Sequence, residues 1–337
     1  MRFVTAVLSL IAFVASASAA PATMTATSAT TLPANAGIQT CLATAADLTA
    51  VYPTSTFPFG TREMCVTVPL DKKIAKLTSK WIAVDVGEDI APANSVITTA
   101  DMDVAGSDRA RFRYSQPRPM PPGRYRVEIS ADGAALGSAS FMVEEKAMTT
   151  NVRQPEDLLP LRPGLVWTFE CVEQSSEGPE SRKIATMTVI AEDAQGAHMK
   201  TTRDGGGTDE EWWTLDKTGL SATQRRKGDE PGVVLDPPQV LWSWPLRNTK
   251  TWNYRPRDRS YSQSYRMWGP LPVESPAGAV PGYVVLCEQK GEINSMTAER
   301  HWIPGVGLSR EIIITAVNDH MVSRQELKLT NDRADAR

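Results

Sequence analysis

Apolar and polar residues alternate along much of the chain. The alternation is clearest over 64–68, 125–129 and 185–191, where nearly every second residue is apolar. A period of two puts alternate side chains on one face of a strand, so each segment predicts a half-buried β-strand. Residues 283–287 and 312–316 are almost continuously apolar and rich in β-branched side chains, which predicts central strands.

Turn residues divide these strands into hairpins. The dipeptide Asp132-Gly133 is typical of a tight hairpin, because glycine accepts the positive φ that such a turn requires. We therefore predict a hairpin between Arg124 and Glu144, and a second one around the Asp-Lys-Thr-Gly segment at 216–219. One short helix is predicted, at Leu42–Val51. The rest of the mature chain is predicted to be all-β.

Composition divides the mature chain into two domains. The first is predicted at 37–145, followed by a polar connector at 146–157, a second domain at 158–330 and a disordered tail at 331–337. In the first domain, the segments Pro-Gly-Arg-Tyr-Arg-Val-Glu, Asp-Gly and Ser-Ala-Ser-Phe resemble the Ig-like β-sandwich modules that precede other domains in secreted bacterial proteins. That resemblance implies an N-terminal Ig-like β-sandwich and no activity.

Four motifs follow one another in the second domain. Pro-Leu-x-Pro-Gly-x-x-Trp at 160–167 recurs loosely at 245–252, and is followed by Val-Glu-Ser-Pro-Ala-Gly at 273–278 and Trp-Ile-Pro-Gly-Val-Gly-Leu at 302–308. In this order they resemble a widespread group of uncharacterised exported bacterial β-proteins. The resemblance implies a curled antiparallel sheet or half-barrel, and no established reaction. Asn248 departs from the glycine that is usual in that group.

The amino terminus has the features of a secretory leader. Arg2 is its only charged residue, an apolar run covers 3–14, and the small residues at 17–19 form a cleavage site. We therefore expect a signal peptide at 1–19, a flexible linker at 20–36, and a periplasmic or extracellular mature protein. Neither this run nor any later one approaches the ~20 residues of a membrane-spanning helix, so the mature chain is expected to have no transmembrane segment.

Charge and histidine content exclude several functions. Without Arg2 the chain has 35 basic and 39 acidic residues, a balance of −4 that argues against nucleic acid as a partner. The only histidines, His198, His301 and His320, are too far apart for a local metal motif, and a Gly-x-Ser-x-Gly elbow is missing. The acidic loop 204–211 suits calcium, but its three glycines more simply predict a hairpin tip. No metal site and no cofactor are predicted.

The four cysteines are expected to form disulfide bonds, because the chain is predicted to be exported. Four thiols allow three pairings, and pairing within each half of the chain is the most economical. No two cysteines have the short spacing of a zinc site. The predicted disulfide residues are Cys41, Cys65, Cys171 and Cys287.

The aromatic/basic stretch, residues 242–268, has the most distinctive local composition. It holds seven aromatic and six basic residues against one acid, Asp258. Aromatic rings and guanidinium groups suit an anionic glycan, a lipid head group or a protein partner. The alternative is that the aromatic rings fill the core while the arginines face solvent. The candidate binding residues are Trp242, Trp244, Trp252, Tyr254, Arg255 and Arg257.

These observations favour a non-catalytic binding or envelope-associated protein, with an amphipathic ligand or an envelope protein as partner. A structural component of a secreted complex would differ only in the size of its partner. The alternative is an exported hydrolase of envelope glycan, because two carboxylates from distant strands can converge. Glu170, Glu210 and Glu211 are conceivable members of such a pair, although no local motif marks them.

Overall fold

The computed structural model describes residues 37–193, 196–291 and 293–333. The predicted signal peptide, the predicted linker and the last four residues of the predicted tail lie outside these ranges. Within them the chain forms 21 β-strands and one 3₁₀ turn at Pro155–Asp157, without an α-helix. No helix there is long and apolar enough to cross a membrane. The prediction of an all-β fold is confirmed.

The first nine strands form two sheets. One sheet has five strands in the order β3-β9-β8-β5-β6, and the other has four in the order β2-β1-β4-β7. Strand β3 lies parallel to β9. The strands are β1 (Gln39–Thr44), β2 (Ala50–Pro53), β3 (Thr56–Phe57), β4 (Glu63–Pro69), β5 (Lys76–Asp85), β6 (Ser95–Asp103), β7 (Arg109–Ser115), β8 (Gly123–Ala131) and β9 (Ala134–Val143).

Aromatic side chains join these two sheets. Trp81 of β5 lies against Tyr114 of β7 with their ring centroids 5.3 Å apart, so the sheets face each other as in a sandwich. Within the five-stranded sheet, Tyr125 stacks on Phe141, also at 5.3 Å. Apolar surface buried in this way stabilises the fold by about 25 cal/mol per Å². The rings therefore contribute to a core that also contains many aliphatic side chains.

The structure confirms the predicted hairpin and corrects the predicted helix. Strands β8 and β9 pair on either side of Asp132 and Gly133, whose φ angles are +49° and +85°. Leu42–Val51 is not helical: it ends β1, turns, and begins β2. β1 pairs with β4, so its backbone is already hydrogen-bonded in a sheet, and this pairing outweighs a weak local helical propensity.

The other twelve strands form one antiparallel sheet. Their order is β15-β14-β13-β12-β11-β10-β21-β20-β19-β18-β17-β16. Strand β21 continues three residues past the predicted domain end at 330. The strands are β10 (Val166–Ser175), β11 (Ser181–Asp193), β12 (Gly196–Arg203), β13 (Thr208–Asp216), β14 (Gly219–Lys227), β15 (Val233–Ser243), β16 (Lys250–Tyr254), β17 (Ser262–Ser275), β18 (Gly278–Lys290), β19 (Asn294–Ile303), β20 (Gly307–Val317) and β21 (His320–Arg333).

This sheet curls until its two edge strands meet. β15 and β16 are consecutive in the chain but stand at opposite ends of the strand order. We call the line where they meet the seam. Across it, Trp252 Nε1 donates a hydrogen bond to the Val240 carbonyl at 3.1 Å, and the Arg257 backbone N–H donates to the Asp236 carbonyl at 2.8 Å. The prediction of a curled antiparallel sheet is confirmed.

The concave face of the curled sheet encloses a second core. Trp242 and Trp302 meet there edge to face, with their centroids 6.3 Å apart. Leu159, which follows the 3₁₀ turn, packs so closely on Gly307 that a Cβ at this glycine would lie 2.5 Å from the leucine Cδ1. Gly307 also has a φ of +96°, a backbone conformation that favours glycine at this position.

The chain forms two compact units. Residues 37–44 and Tyr52–Glu145 belong to the first unit, and the chain from Lys146 onward belongs to the second. The short segment Ala45–Val51 clusters with the second unit, although β1 before it is a strand of the first.

The structure contains none of the predicted disulfides. All four cysteines are buried thiols. Cys171 on β10 and Cys287 on β18 have three strands between them in the sheet. The predicted Cys171–Cys287 pairing is therefore wrong for this fold, because disulfide-linked Cα atoms lie within about 7 Å of each other.

Replacing Gly219 by alanine is expected to destabilise the second unit. Gly219 has a φ of +129°, and a Cβ there would clash with the Trp242 carbonyl oxygen on β15. We expect Gly219→Ala to lower the free energy of unfolding by roughly 2–3 kcal/mol in urea titrations. Gly207→Ala is the control, because its nearest neighbouring atom is 3.9 Å away. Equal losses in the two variants would contradict this account.

Candidate functional site

Six of the seven aromatic side chains of the aromatic/basic stretch pack in the core enclosed by the curled sheet, whereas Trp268 is buried outside that core. Trp242 and Tyr254 are buried, and Trp244 and Trp252 are half-buried. Trp252 stacks on Tyr265 with their ring centroids 5.2 Å apart, and its indole N–H bonds across the seam. These rings therefore help to hold the edges of the sheet together.

Four of the five arginines of the same stretch face solvent, and the fifth, Arg266, is half-buried over the ring of Trp268. Arg255 and Arg257 are exposed. Arg257 Nη1 lies 3.1 Å from Asp236 Oδ2, in an ion pair whose side chains are 82% and 53% exposed. Pairs this exposed contribute at most about 1 kcal/mol to stability. The six candidate residues thus lie on two different faces and do not form one patch.

Two ion pairs that we did not predict lie inside the curled sheet. Arg225 and Glu211 face each other on β14 and β13, with Nε and Oε1 2.5 Å apart. Arg300 and Glu311 face each other on β19 and β20, with Nε and Oε1 2.6 Å apart. We call these four residues, with Tyr265 and Cys287, the inner cluster. Its members come from opposite parts of the strand order, so only the curl brings them together.

The two guanidinium groups of the inner cluster act on each other. Burial by itself lowers the pKa of both arginines, but Glu211 and Glu311 more than offset it, and both pKa values are raised. The positive charge of Arg300 lowers the pKa of Arg225 and so offsets part of this rise. Both arginines therefore remain charged at neutral pH, with the two carboxylates as their counter-ions.

The remaining members of the inner cluster are neutral. Burial raises the pKa of the Tyr265 hydroxyl and that of the Cys287 thiol. The positive charge of Arg300 partly offsets the rise in the pKa of Cys287. The Tyr265 hydroxyl donates to Gln263 Oε1 at 2.7 Å and accepts from Gln239 Nε2 at 2.6 Å. Both groups can therefore form hydrogen bonds but carry no charge at pH 7.

Several buried polar atoms in this interior have no hydrogen-bond partner. Arg300 Nη1 and Gln239 Oε1 are two of them, and the indole nitrogens of Trp242 and Trp302 are two others. Buried polar groups in folded proteins nearly always have a partner. The interior therefore has donors to offer to a polar group of a ligand.

A weak signal for the inner cluster was present in the sequence. Arg300 lies two residues from Ala298 and two from Trp302, both of which are buried in the core. Residues two apart share a face of a strand, so an arginine at such a position points inward. The sequence does not reveal that Glu311 is its partner, because that depends on the register of β19 and β20.

The three carboxylates considered for a glycosidase do not face one another. Glu210 and Glu211 are consecutive on β13, and so they project from opposite faces of the sheet. Glu170 Oε1 lies 2.9 Å from Arg182 Nη1 on the outer face. Each of the three is engaged by a cation, so none is set apart as a general acid.

Glu210 belongs to a second charged group, on the outer face. Its Oε2 lies 2.7 Å from His198 Nε2, and its Oε1 lies 2.6 Å from Arg226 Nη2. The imidazole of His198 stacks on Trp212 with 4.2 Å between ring centroids. The Arg226 guanidinium, followed by His198, lowers the pKa of Glu210 despite its burial.

A groove of ≈ 300 Å³ lies on the outer face of β10, β11 and β21. Its charged side chains are already joined in ion pairs, such as Arg182–Glu170 and Arg324–Glu326. None of the tryptophans of the aromatic/basic stretch lines it. It is lined by Glu170, Val172, Gln174, Glu180, Arg182, Arg324, Glu326 and Lys328.

Comparison with known proteins adds little to this description. No protein-family model matches the chain, and no curated protein matches it. A similar solved structure is a predicted exported protein of Bacteroides fragilis with a YmcC-like fold. The two are 16% identical, the match covers 52% of this chain and 98% of that one, and the TM-score is 0.29. At these values the similarity carries no argument about this chain.

The lowered pKa of Glu210 predicts a pH-dependent contribution to stability. Because the folded-state pKa lies below the ordinary value of 4.5, the stabilisation is present above that pH and is lost as pH falls through the folded-state value. We expect Glu210→Gln to be less stable than the wild type by roughly 1–3 kcal/mol at pH 7, with the gap closing between pH 5 and pH 3. Urea unfolding of both proteins at each pH measures this difference in the free energy of unfolding.

Glu180→Gln is the control for this experiment. Glu180 also pairs with an arginine, at 2.9 Å, but the two side chains are 46% and 64% exposed. Its replacement is expected to change stability by less than about 1 kcal/mol at any pH. A gap between Glu210→Gln and the wild type that stayed constant from pH 7 to pH 3 would contradict the assignment.

Proposed function

We propose that this chain is an exported, non-catalytic binding protein whose second domain holds an amphipathic ligand behind the seam. The observation that carries the proposal is the presence of Arg225 and Arg300 on the concave, otherwise mainly apolar face of the curled sheet. Removing ions from water costs several kcal/mol per ion even after relaxation. Packing alone would be served better by apolar residues, so these charges suggest a ligand.

The seam is the route that we propose for the ligand. Among the strand pairings in the described ranges, β15 and β16 are not hydrogen-bonded neighbours. They are joined instead by isolated bonds, such as those from Trp252 and from the backbone of Arg257. Local opening is cheapest where few backbone bonds must break, so the seam is expected to open before any strand pair.

The chemistry around the seam suits an anionic amphiphile. The half-buried rings of Trp244 and Trp252 offer apolar surface. Arg300 Nη1 has no hydrogen-bond partner within the protein and can donate to a carboxylate or phosphate oxygen. Outside, the exposed Arg255 and Arg257 would attract an anionic group toward the entrance. The alternative is that these two arginines bind a protein partner instead of an amphiphile.

Two further features support the export and the absence of catalysis. The leader at 1–19 has the features of a signal peptide. The carboxylates Glu170, Glu210 and Glu211 are held by cations, and a glycosidase needs two carboxyl groups facing each other about 5–10 Å apart. We therefore favour binding over hydrolysis.

Titration with oleate, an anionic amphiphile, tests the proposal. We expect saturable quenching of tryptophan fluorescence and a 1:1 complex in native mass spectrometry. Oleyl alcohol has the same chain without the charge, and it should bind at least tenfold more weakly, because each charge-assisted hydrogen bond contributes roughly 1.5–3 kcal/mol. Arg225→Gln should weaken oleate binding by a similar factor.

Arg182→Gln is the matched control, because Arg182 lies in ion pairs on the outer face. This variant should bind oleate like the wild type. Binding of the alcohol as tightly as oleate would contradict the role of the inner arginines. Absence of binding by either compound would contradict an amphipathic ligand and leave the alternative of a protein partner, which native mass spectrometry of the protein isolated from its own host can test.

A further inference from the structure

Two cysteines of the first unit lie directly opposite each other. Cys41 of β1 and Cys65 of β4 are register partners in an antiparallel strand pair. Both are buried, at 0% and 4% exposure, and Cys41 Sγ lies 3.6 Å from the carbonyl oxygen of Cys65. Opposed residues of an antiparallel pair project from the same face of the sheet. The two side chains therefore stand next to each other.

The backbone at this position is close to what a disulfide requires. Directly opposed residues have their Cα atoms about 4.5–5.5 Å apart, and disulfides span Cα distances of about 4.4–6.8 Å. Rotation of the side chains about χ1 can bring the sulfur atoms together, so β1 and β4 need not move far. The paired strands therefore place the two thiols where a disulfide can form.

The other two cysteines are not arranged in this way. Cys171 and Cys287 are four strand spacings apart in the twelve-stranded sheet, roughly 19 Å along it. Cys171 Sγ lies 3.9 Å from Glu173 Oε1, whereas Cys287 lies with Tyr265 and Arg300 in the inner cluster. They contact different groups, and no backbone adjustment of ordinary size joins them.

We propose that Cys41 and Cys65 form a disulfide, and that Cys171 and Cys287 remain thiols. The oxidant is a second disulfide, either of an oxidoreductase or of oxidised glutathione. One thiolate attacks that disulfide and forms a mixed disulfide, and the other thiolate then displaces the second thiol. Both cysteines are oxidised, one external disulfide is reduced to two thiols, and the protons of the cysteines pass to these products.

Burial determines when the exchange takes place. In the folded unit neither sulfur is accessible to a large oxidant, so the bond forms while β1 is pairing with β4. The bond would close the chain from residue 41 to residue 65, which contains the turn after β1 and the strands β2 and β3. Closing such a loop restricts the unfolded chain and so favours the folded one.

Peptide mapping of the full chain tests the proposal. The protein is refolded in a mixture of oxidised and reduced glutathione, denatured, alkylated without reduction and digested with trypsin. Cleavage after Arg62 separates Cys41 from Cys65, and all four cysteines fall in different tryptic peptides. We expect one linked pair, joining the peptides of Cys41 and Cys65, and alkylated thiols at Cys171 and Cys287. Alkylation of all four, or a link to Cys171 or Cys287, would overturn the proposal.

Thermal unfolding gives a second readout. Removal of the cross-link with Cys65→Ala is expected to lower the Tm of the first unit by roughly 10 °C relative to the oxidised wild type. The reduced wild type separates loss of the bond from loss of the side chain and should show most of the same shift. The Tm of Cys171→Ser should respond to oxidation as the wild type does. Identical Tm values for oxidised and reduced wild type would count against a bond between Cys41 and Cys65.

Discussion

The second domain depends on the meeting of the two edges of its sheet. A sheet of twelve strands leaves a row of unpaired backbone groups at each edge, and such edges invite pairing with other chains. Here the curl brings the edges together, and Trp252 and Arg257 bond the carbonyl groups of Val240 and Asp236 across the gap. The same curl creates the concave face that holds the main hydrophobic core of this domain. If the edges separated, that face would be open to water.

Carboxylates on the neighbouring strands explain why the two inward-facing arginines are tolerated. Arg225 and Arg300 each have a carboxylate directly opposite on the next strand, at 2.5 and 2.6 Å. The Arg300 and Glu311 side chains are 15% and 16% exposed, and loss of one partner at such a site typically costs about 3–5 kcal/mol, because an uncompensated charge remains. The Arg225 and Glu211 side chains are 34% and 29% exposed, so loss of one partner there costs less. The register of β13 with β14 and of β19 with β20 therefore matters as much as the residues themselves. A slip of one residue would turn each arginine to the other face of the sheet.

The aromatic/basic stretch has two roles because it borders the seam. All its rings except Trp268 pack inward, and Trp252 stacks on Tyr265 of the neighbouring strand. Its arginines, such as Arg255, remain in solvent. A binding position behind the seam would use both faces, since an anionic amphiphile approaching the exposed arginines would next meet the half-buried rings. This arrangement connects the fold to the proposed function without a catalytic group.

The sequence by itself determined the features that depend on neighbouring residues. Alternation of apolar residues predicted the strands, and Asp132-Gly133 predicted the hairpin of β8 and β9, because a period of two and a positive φ are local properties. The prediction failed at Leu42–Val51, where pairing of β1 with β4 overrides local propensity. Only the tertiary structure decided which way the tryptophans face, that Arg225 and Arg300 share one interior, and that Cys41 rather than Cys171 has a cysteine opposite it. Each of these depends on strand register and on the curl, which join residues far apart in the chain and therefore cannot be deduced from a short segment.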